Sequence, residues 1–404
     1  MVGTGFSALL VAAQHRNSNP VRALGAVLLV CLFLANNAFG AVLPDEKLDL
    51  MLHSYKGGGS DIKGPTVLVR KNFSDKVSSW GSYYYDHISS ASIDVVTQGS
   101  EYSEDHTQIN GGLDYLVDRT LLSLSAAKSI QDDYDGNALS FGISQEFFGD
   151  LSTLSMSYSQ GNDTVKQNGN DSFSEDKMTQ RYAVNLTQIL TRNWMIAVNL
   201  ESVAEEGYLQ NPYRSDRYLA GDGRAVFEPE FYPSTRNSDA IAVKSIHYLP
   251  YRAAIKWEAR YFSDSWDISA TNFELKYVQP YNDQIILEGK LRYYDQSEAF
   301  FYNDLFDFAN SQAPRPREFR GRDKELSQFS TITVGAGATY ELKKPLFSFF
   351  DDTSLNLYVD YMQFDYDNFR DARESQQSAD VAAGEESLYS FDAWVSRFFI
   401  SMRY

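Results

Sequence analysis

The sequence predicts an all-β protein, a transmembrane antiparallel up-and-down β-barrel of about 16 strands with both termini in the periplasm of a Gram-negative bacterium. Three observations predict this fold. The N-terminus has the features of an export signal, apolar residues recur at every second position in many segments, and the connections between these segments alternate between short and long.

The export signal occupies residues 1–40. This segment contains Arg16 and Arg22 and no acidic residue, and an apolar run from Ala23 to Ala35 leads to small residues that end at Gly40. We expect a secretory signal peptide cleaved after Gly40, followed by a single barrel over residues 41–404. A membrane anchor is the weaker alternative, because about 13 apolar residues fall short of the ~20 that a spanning helix needs.

Alternation with a period of two is the strongest signal in the remaining chain. Between Thr331 and Glu341, apolar side chains alternate with threonine and glycine, and Ser354–Tyr361 alternates in the same way. Such segments are strands with one apolar and one polar face. We predict sixteen of them, with approximate cores at 47–55, 65–72, 77–86, 107–116, 120–130, 137–147, 152–162, 179–190, 193–203, 239–248, 252–262, 266–278, 284–294, 329–342, 353–366 and 389–404.

The connections between the predicted strands differ in length according to their parity. After even-numbered strands they are mostly tight turns, such as Val117-Asp118 and Thr191-Arg192. After odd-numbered strands they are mostly long and polar, and we expect these to be extracellular loops, which is the arrangement of bacterial outer-membrane barrels. The predicted loops are 87–106, 163–178, 204–238, 295–328 and 367–388.

The C-terminal strand favours a membrane barrel over a soluble β-sandwich. Phe398, Ile400, Met402 and Tyr404 share one face, and the chain ends on an aromatic residue. We interpret these four residues as an assembly signal for the outer-membrane assembly machinery. Outer-membrane lipid and lipopolysaccharide are the further expected partners of such a barrel.

The charge balance excludes one class of partner. The formal net charge is −18, and it becomes about −20 once Arg16 and Arg22 are removed with the signal peptide. A surface this acidic argues against nucleic acid as a partner. The only cysteine, Cys31, lies in the signal peptide, so the mature chain has no disulfide and no Cys-ligated metal site.

An unusual run of charged residues falls on the polar face of three neighbouring strands. Charges facing lipid at mid-membrane would cost about 2–4 kcal/mol each for Arg or Lys, so we expect them to face the lumen. Their alternating signs favour an ion-pair lattice that stiffens the wall, and the alternative is a charged constriction that selects solutes. The candidate lumen charge patch consists of Arg252, Lys256, Glu258, Arg260, Glu274, Lys276, Glu288, Lys290 and Arg292.

A second group of cations lies in the predicted loop 295–328. It could contact an external anion such as a lipopolysaccharide phosphate, or it could pair with acidic residues of neighbouring loops, and the sequence leaves both open. The candidate anion-binding residues are Arg315, Arg317, Arg320, Arg322 and Lys324.

The sequence gives little sign of catalysis. It has no G-x-S-x-G nucleophile elbow and no H-E-x-x-H zinc motif, and the histidines His53, His87, His106 and His247 are scattered. Asp132–Gly136 resembles only part of a calcium loop and is more simply an acidic turn. We therefore predict no catalytic residues, no metal site and no cofactor, although a membrane-embedded hydrolase with a Ser–His site built across strands stays a minor alternative.

Several motifs are similar to those of an uncharacterised family of proteobacterial outer-membrane proteins with a domain of unknown function. The most specific are Tyr261-Phe262-Ser263-Asp264-Ser265-Trp266 and the run from Arg292 to Tyr302. The chain departs from the family at Asp267, where the pattern has glycine, and at 320–323. The resemblance implies an outer-membrane barrel. It also implies a periplasmic redox-linked partner, because genes of the family often stand near those of a thioredoxin-like protein and a flavin transferase.

From these features we predict an outer-membrane barrel that acts as a pore, or as the membrane component of an envelope system, with an unidentified substrate. The alternative is a non-conducting barrel whose loops bind surface glycolipid or a partner protein. Several of the family motifs, at 211–214, 263–266 and 296–302, fall in or beside the predicted outer loops. We expect them to fold together into a cap over the lumen, because prolines and aromatic residues favour an ordered loop.

Overall fold

In the computed structural model, sixteen antiparallel strands close into a barrel. The structure describes residues 42–90, 97, 102–221, 223–307, 318–378 and 380–404, so the predicted signal peptide lies outside the described residues. The first barrel strand pairs with the last over eleven residues, from Lys47 opposite Arg403 to Gly57 opposite Ala393, and this pairing closes the sheet. None of the described helices is long and apolar enough to cross a membrane.

The prediction of a sixteen-stranded antiparallel barrel is confirmed, and each predicted segment overlaps one barrel strand. The barrel strands are β1 (Lys47–Gly57), β2 (Ser60–Ser74), β3 (Val77–Ser90), β4 (Tyr102–Val117), β5 (Thr120–Ile130), β6 (Tyr134–Phe147), β7 (Ser152–Lys166), β8 (Ser174–Thr191), β9 (Trp194–Gly207), β12 (Thr235–Tyr248), β13 (Ala254–Asp264), β14 (Ser269–Pro280), β15 (Ile285–Gln296), β17 (Phe329–Glu341), β18 (Asp352–Arg370) and β19 (Leu388–Arg403).

The remaining elements lie in the long connections. The strands β10 (Ser215–Leu219), β11 (Ala225–Pro229) and β16 (Phe306–Asp307) form a separate three-stranded sheet in the order β11-β10-β16. A 3₁₀ helix spans Lys324–Leu326, and the short helix α1 spans Arg373–Gln377. The sequence did not predict these elements, because strands of two and five residues are too short to show a period.

The two ends of the barrel differ in the length of their connections, although the predicted loop 163–178 is shorter than expected because β7 runs to Lys166 and β8 begins at Ser174. At one end, here called the turn end, consecutive strands are joined mostly by tight turns. Asp118 and Phe148 adopt positive φ values of 52° and 54° in two of these turns. Residues 342–351 make a longer connection there. At the other end, the loop end, the connections β9–β12, β15–β17 and β18–β19 are long, and their described residues are folded.

The two faces of the barrel wall have opposite character. Large apolar side chains on the outside are exposed; Val334 on β17 and Trp394 on β19 show 54% and 56% of their surface. Their sequence neighbours point into the lumen and are polar or small, such as Thr333 and Gly335. A continuous exposed apolar band is a surface suited to hydrocarbon rather than to water. The same outward set includes Leu113, Leu124, Leu139, Leu291, Ile332 and Leu357.

Candidate functional site: the lumen and the cap at the loop end

A folded cap covers the loop end of the lumen. We define the cap as the sheet β10-β11-β16 together with the described residues of 208–234, 297–328 and 371–387. Its pieces are joined by backbone hydrogen bonds between distant segments, for example between Phe231 and Arg320, whose amides and carbonyls exchange bonds of 2.9 and 2.8 Å. The segments 211–214, 263–266 and 296–302 therefore meet in and around one structure.

The cap has its own aromatic core. Trp266 is 3% exposed, and the rings of Tyr232 and Phe301 both stand nearly perpendicular to its ring, with centroids at 5.6 and 5.2 Å. The indole N–H of Trp266 donates to the carbonyl of Thr235 at 3.0 Å. Trp266 is held in place by the tight turn after β13, where one oxygen of the Asp264 carboxylate accepts the N–H groups of residues 266 and 268 at 2.9 Å each. These contacts join the cap to the barrel wall.

The turn after β13 places Asp267 in an unusual backbone conformation. Its φ of +66° lies in the left-handed region, which glycine adopts without strain and which aspartate tolerates better than most residues. A glycine at this position would therefore match the backbone geometry of the turn.

A buried network of charged side chains ties three cap segments together. The guanidinium of Arg217 on β10 is 2.5 Å from a carboxylate oxygen of Glu386 and 2.5 Å from one of Asp304. Arg322 contacts Asp304 at 2.9 Å and lies over the ring of Phe369 at 4.4 Å. Arg217 and Glu386 are each 0% exposed. Breaking such a pair costs far more than breaking one at the surface, because it leaves a charge uncompensated away from water.

The cap shifts the pKa values of its buried carboxyl groups in opposite directions. Burial would raise the pKa of Glu386, but hydrogen bonds from Arg217 and Ser375 outweigh it and lower this pKa to about 2. Burial raises the pKa of Glu230 to about 8, with a further contribution from the charge of Asp323. Burial also raises the pKa of Asp216 to about 6, although the neighbouring Arg320 opposes the change.

The predicted anion-binding cations do not form one external site. Arg322 is 1% exposed and its charge is used inside the cap, so the prediction that it binds an external anion is wrong. Arg320 pairs with Asp216 and, at 3.4 Å, with Glu228. Arg315 and Arg317 lie outside the described residues. Lys324 lines a cavity beneath the cap. The partners of Arg320 come from the predicted loop 204–238, whereas Asp304 belongs to the same predicted loop as Arg322.

The lumen charge patch is largely an ion-pair lattice. Most of its members line lumen cavities, and five of them contact a side chain of opposite charge inside the barrel. The pairs are Lys244–Glu258 at 3.0 Å, Arg260–Glu201 at 3.2 Å, Lys276–Glu274 at 2.9 Å, Lys290–Asp360 at 2.7 Å and Arg397–Asp360 at 2.8 Å. Arg292 donates to the amide oxygen of Asn272, and Lys256 and Glu288 occupy lumen-facing positions beside these pairs.

Arg252 was wrongly assigned to this patch. It lies before β13 in a turn with a φ of +66°, and it pairs with Asp283 of the next turn at 3.2 Å. Both side chains are mostly exposed, at 69% and 92%. The period-two pattern was extended two residues beyond the start of the strand, and strand ends are where such patterns are least reliable.

Glycines in the wall allow two side-chain contacts to reach across an intervening strand. Lys290 on β15 contacts Asp360 on β18 over Gly335 of β17, where an added methyl group would lie 2.1 Å from the Asp360 carboxylate. In the same way, Asp86 on β3 reaches His53 on β1 over Gly64 of β2. The sequence analysis missed the His53–Asp86 pair, since its residues belong to strands that are not neighbours.

Three adjoining cavities run along the lumen wall from the cap. The upper cavity, about 700 Å³, is bounded by cap residues and by side chains of β1, β8, β9, β12, β18 and β19. The middle cavity, about 440 Å³, shares Arg236, Gln296 and Glu325 with it. The lower cavity, about 490 Å³, shares Glu258 and Arg260 with the middle one. A side cavity of about 310 Å³ lies at the Lys290–Asp360 pair.

The lower cavity is lined by small side chains. Ser123, Gly142, Ser144, Ser155 and Ser157 of β5–β7 border it, with Ala183 and Asn185 of β8. The opposite wall, from β13 to β19, carries arginines, lysines and aromatic rings. The lumen is therefore asymmetric, and the free space of the lower cavity lies against the wall of small residues.

The predicted assembly signal is a strand face in the folded barrel. Phe398 is 41% exposed on the outside, whereas Met402 is 1% exposed. Tyr404 packs on Phe350 of the connection 342–351, with ring centroids 4.6 Å apart, and Lys71 lies over its ring at 4.3 Å. Ile400 pairs with Leu50 of β1 and Leu355 of β18. Recognition of these residues by the assembly machinery stays a prediction.

Among the described residues, no group of three or more His, Cys, Asp and Glu side chains is placed to hold a metal ion.

Comparison with known proteins finds one family and several barrels. The sequence profile of a family described as "Protein of unknown function (DUF3570)" matches residues 168–390. No curated protein is similar to the sequence. The fold is similar to a bacterial polysaccharide outer membrane secretin, with a TM-score of 0.46 and 7% identity over 90% of this chain and 100% of that one.

Two further solved structures share the barrel architecture. The CymD monoaromatic hydrocarbon channel has a TM-score of 0.42 and 8% identity over 89% of this chain and 88% of the other. The siderophore receptor PirA from Pseudomonas aeruginosa has a TM-score of 0.43 and 9% identity, and the match covers 81% of this chain and 60% of the receptor.

Proposed function

Because the chain belongs to the DUF3570 family of proteins of unknown function, which supplies no activity, we propose a function from the barrel itself: a capped outer-membrane pore for small polar solutes. The outer membrane is the proposed location, since an outward apolar band and a polar lumen are the features of barrels in that membrane. The loop end would then face the cell exterior.

The observation that carries the proposal is the series of adjoining cavities from the cap into the lumen. Sixteen strands close a barrel wide enough to leave an aqueous channel. The cavities are lined by serines, asparagines and paired charges, which solvate a polar solute. Because the charges of the patch are mostly paired, we expect weak selection between small cations and anions.

Recording from planar lipid bilayers tests the pore. Purified full-length protein should give discrete current steps and a reversal potential near zero across a potassium chloride gradient. The double variant Lys290→Glu, Arg292→Glu removes two positive charges from the lumen and adds two negative ones, so it should shift the reversal potential toward cation selectivity. Arg252→Glu, which changes an exposed turn at the turn end, is the control and should shift it much less.

A non-conducting barrel is the second candidate, and the buried ion pairs of the cap favour it. Such a cap could close the lumen and serve as a binding surface. The variant Arg217→Ala separates the two candidates, because loosening the cap should increase the conductance of a pore. If correctly folded wild-type and Arg217→Ala proteins are both silent, the proposal of a pore is wrong.

A further inference from the structure

Aromatic rings form pairs along the lumen face of β18 and β19. Phe364 and Phe391 stack nearly parallel, with centroids 4.4 Å apart and planes at 9°. Six residues along β18 toward the turn end, Tyr358 stacks on Phe399 at 5.9 Å and 4°. Since a strand advances about 3.3 Å per residue, the two pairs are separated by about 20 Å along the wall. We call these four residues the aromatic track.

The track borders open space. Phe364 and Phe391 pack against the aromatic core of the cap, and they also line the upper cavity. Tyr358 and Phe399 line the side cavity. Gly337 of β17 makes room for the ring of Tyr358, because a methyl group at Gly337 would lie 2.4 Å from that ring. The rings are therefore held by packing on one side and accessible to a solute on the other.

Polar groups accompany the rings. Between the two ring pairs lies Asp360, which is held by Lys290 and Arg397 at 2.7 and 2.8 Å. At the upper cavity, the Lys177–Glu205 pair, 2.9 Å apart, belongs to the same lining as Phe364. The wall thus presents flat apolar surfaces in alternation with charged hydrogen-bonding groups.

We propose that the aromatic track binds a neutral, hydroxyl-rich ring solute, an oligosaccharide, on its way through the lumen. A sugar ring has a C–H face that stacks on an aromatic ring and hydroxyl groups at its edge that bond to charged side chains. An aromatic hydrocarbon matches the rings but would cover the charged groups without giving them a hydrogen-bond partner, which is unfavourable. This inference rests on the proposed pore, because it names the class of solute that the pore admits.

Titration calorimetry on the detergent-purified full-length protein tests the track. The probes are maltohexaose and cellohexaose, two linear glucose hexasaccharides, and sodium benzoate as an aromatic anion. We expect at least one hexasaccharide to bind. Phe364→Leu keeps an apolar side chain but removes the ring, so it should weaken binding about tenfold, whereas Phe364→Tyr keeps the ring and should preserve binding.

A matched control lies on the outside of the same two strands. Tyr361 and Trp394 have ring centroids 5.1 Å apart and point away from the lumen. Tyr361→Leu therefore removes a comparable ring from a comparable pair and should leave binding unchanged. Heat-modifiable migration on gels verifies that each variant forms a closed barrel.

Each outcome decides the proposal. Binding of a hexasaccharide that Phe364→Leu weakens and Tyr361→Leu does not supports it. The proposal is overturned if neither hexasaccharide binds to folded protein, if benzoate alone binds, or if Phe364→Leu has no effect. The proposed pore and the aromatic track can fail independently. If bilayers show no current while calorimetry still detects binding of the sugar, the pore is wrong and the binding site stands. Conductance without any binding of sugar would keep the pore and reject the track.

Discussion

Replacing Arg217 by alanine should unfold the cap while leaving the barrel closed. Arg217 is 0% exposed, and its guanidinium neutralises two carboxylates, those of Glu386 and Asp304, at 2.5 Å each. These partners lie 169 and 87 residues away in sequence. The substitution therefore leaves the buried Glu386 carboxylate without its cation, leaves Asp304 with Arg322 alone, and removes the contact that joins three cap segments.

The size of the effect follows from the burial of the pair. Removing one partner of a buried ion pair costs about 3–5 kcal/mol, so the equilibrium for opening the cap should shift by roughly two to four orders of magnitude. The barrel strands should be unaffected, because the hydrogen bonds of the closed sheet do not involve Arg217. The matched control is Arg252→Ala, which breaks an exposed pair with Asp283 and should cost about 0–1 kcal/mol.

Hydrogen–deuterium exchange in detergent measures both parts of this prediction. Peptides from 208–233 and 371–387 should exchange much faster in Arg217→Ala than in the wild type, while peptides from β5–β8 keep their protection. If cap peptides of Arg217→Ala exchange at the wild-type rate, the network does not hold the cap. If barrel peptides lose protection as well, the cap is not an independent unit.

Three further predictions concern the cap and the lumen wall. Protection of the cap from exchange should be highest near pH 4.5. Folding lowers the pKa of Glu386 from 4.5 to about 2, so this group stabilises the cap above pH 4.5, and the stabilisation is lost as the pH falls toward 2. Folding raises the pKa of Glu230 from 4.5 to about 8, so this group destabilises the cap as the pH rises from 4.5 to 8. Exchange rates corrected for intrinsic pH dependence measure this, and Glu230→Gln should flatten the alkaline side. Gly335→Ala should lower the free energy of unfolding by about 1–3 kcal/mol in urea titrations, because the new methyl group would meet Asp360. Gly289→Ala is the control and should be close to neutral, because nothing lies within 4 Å of the new methyl group. Equal effects of the two substitutions would contradict the contact of Lys290 with Asp360 over Gly335. Asp267→Gly should raise the free energy of unfolding of the cap by about 0.5–1 kcal/mol, because glycine adopts the φ of +66° without strain, and Asp267→Val should lower it. If Asp267→Val stabilised the cap, the backbone at this position would not be strained.

The barrel was predictable because its signal is local. In a membrane barrel each strand has one face toward lipid and one toward the lumen, so Ile332 and Val334 alternate with Thr331 and Thr333 within a few residues. By the same alternation Lys290 and Arg292 fall on the polar face, and both residues line cavities of the barrel. The alternation failed at Arg252, where the strand had not yet begun and the backbone turns.

The cap was predictable only as a tendency of certain loops to fold. Its ion pairs join residues that no short pattern connects, such as Arg217 and Glu386. In the sequence, Arg320 and Arg322 belong to a cluster of cations, and pairing with acidic residues of neighbouring loops was one of its two interpretations. The sequence could not identify Asp216 and Asp304 as the acidic partners. The aromatic track was missed for a similar reason, because Phe364 and Phe391 become neighbours only through the register of β18 and β19.

The asymmetry of the lumen bears on how its width can change during evolution. The bulky side of the wall is interlocked, since Gly335 and Gly337 must stay small for the side chains above them to fit. The opposite side, with Ser144, Ser155 and Ser157, borders empty space. Larger residues could be accepted there one at a time without disturbing a neighbour, so related barrels can acquire narrower or differently shaped passages while the interlocked half keeps the architecture constant.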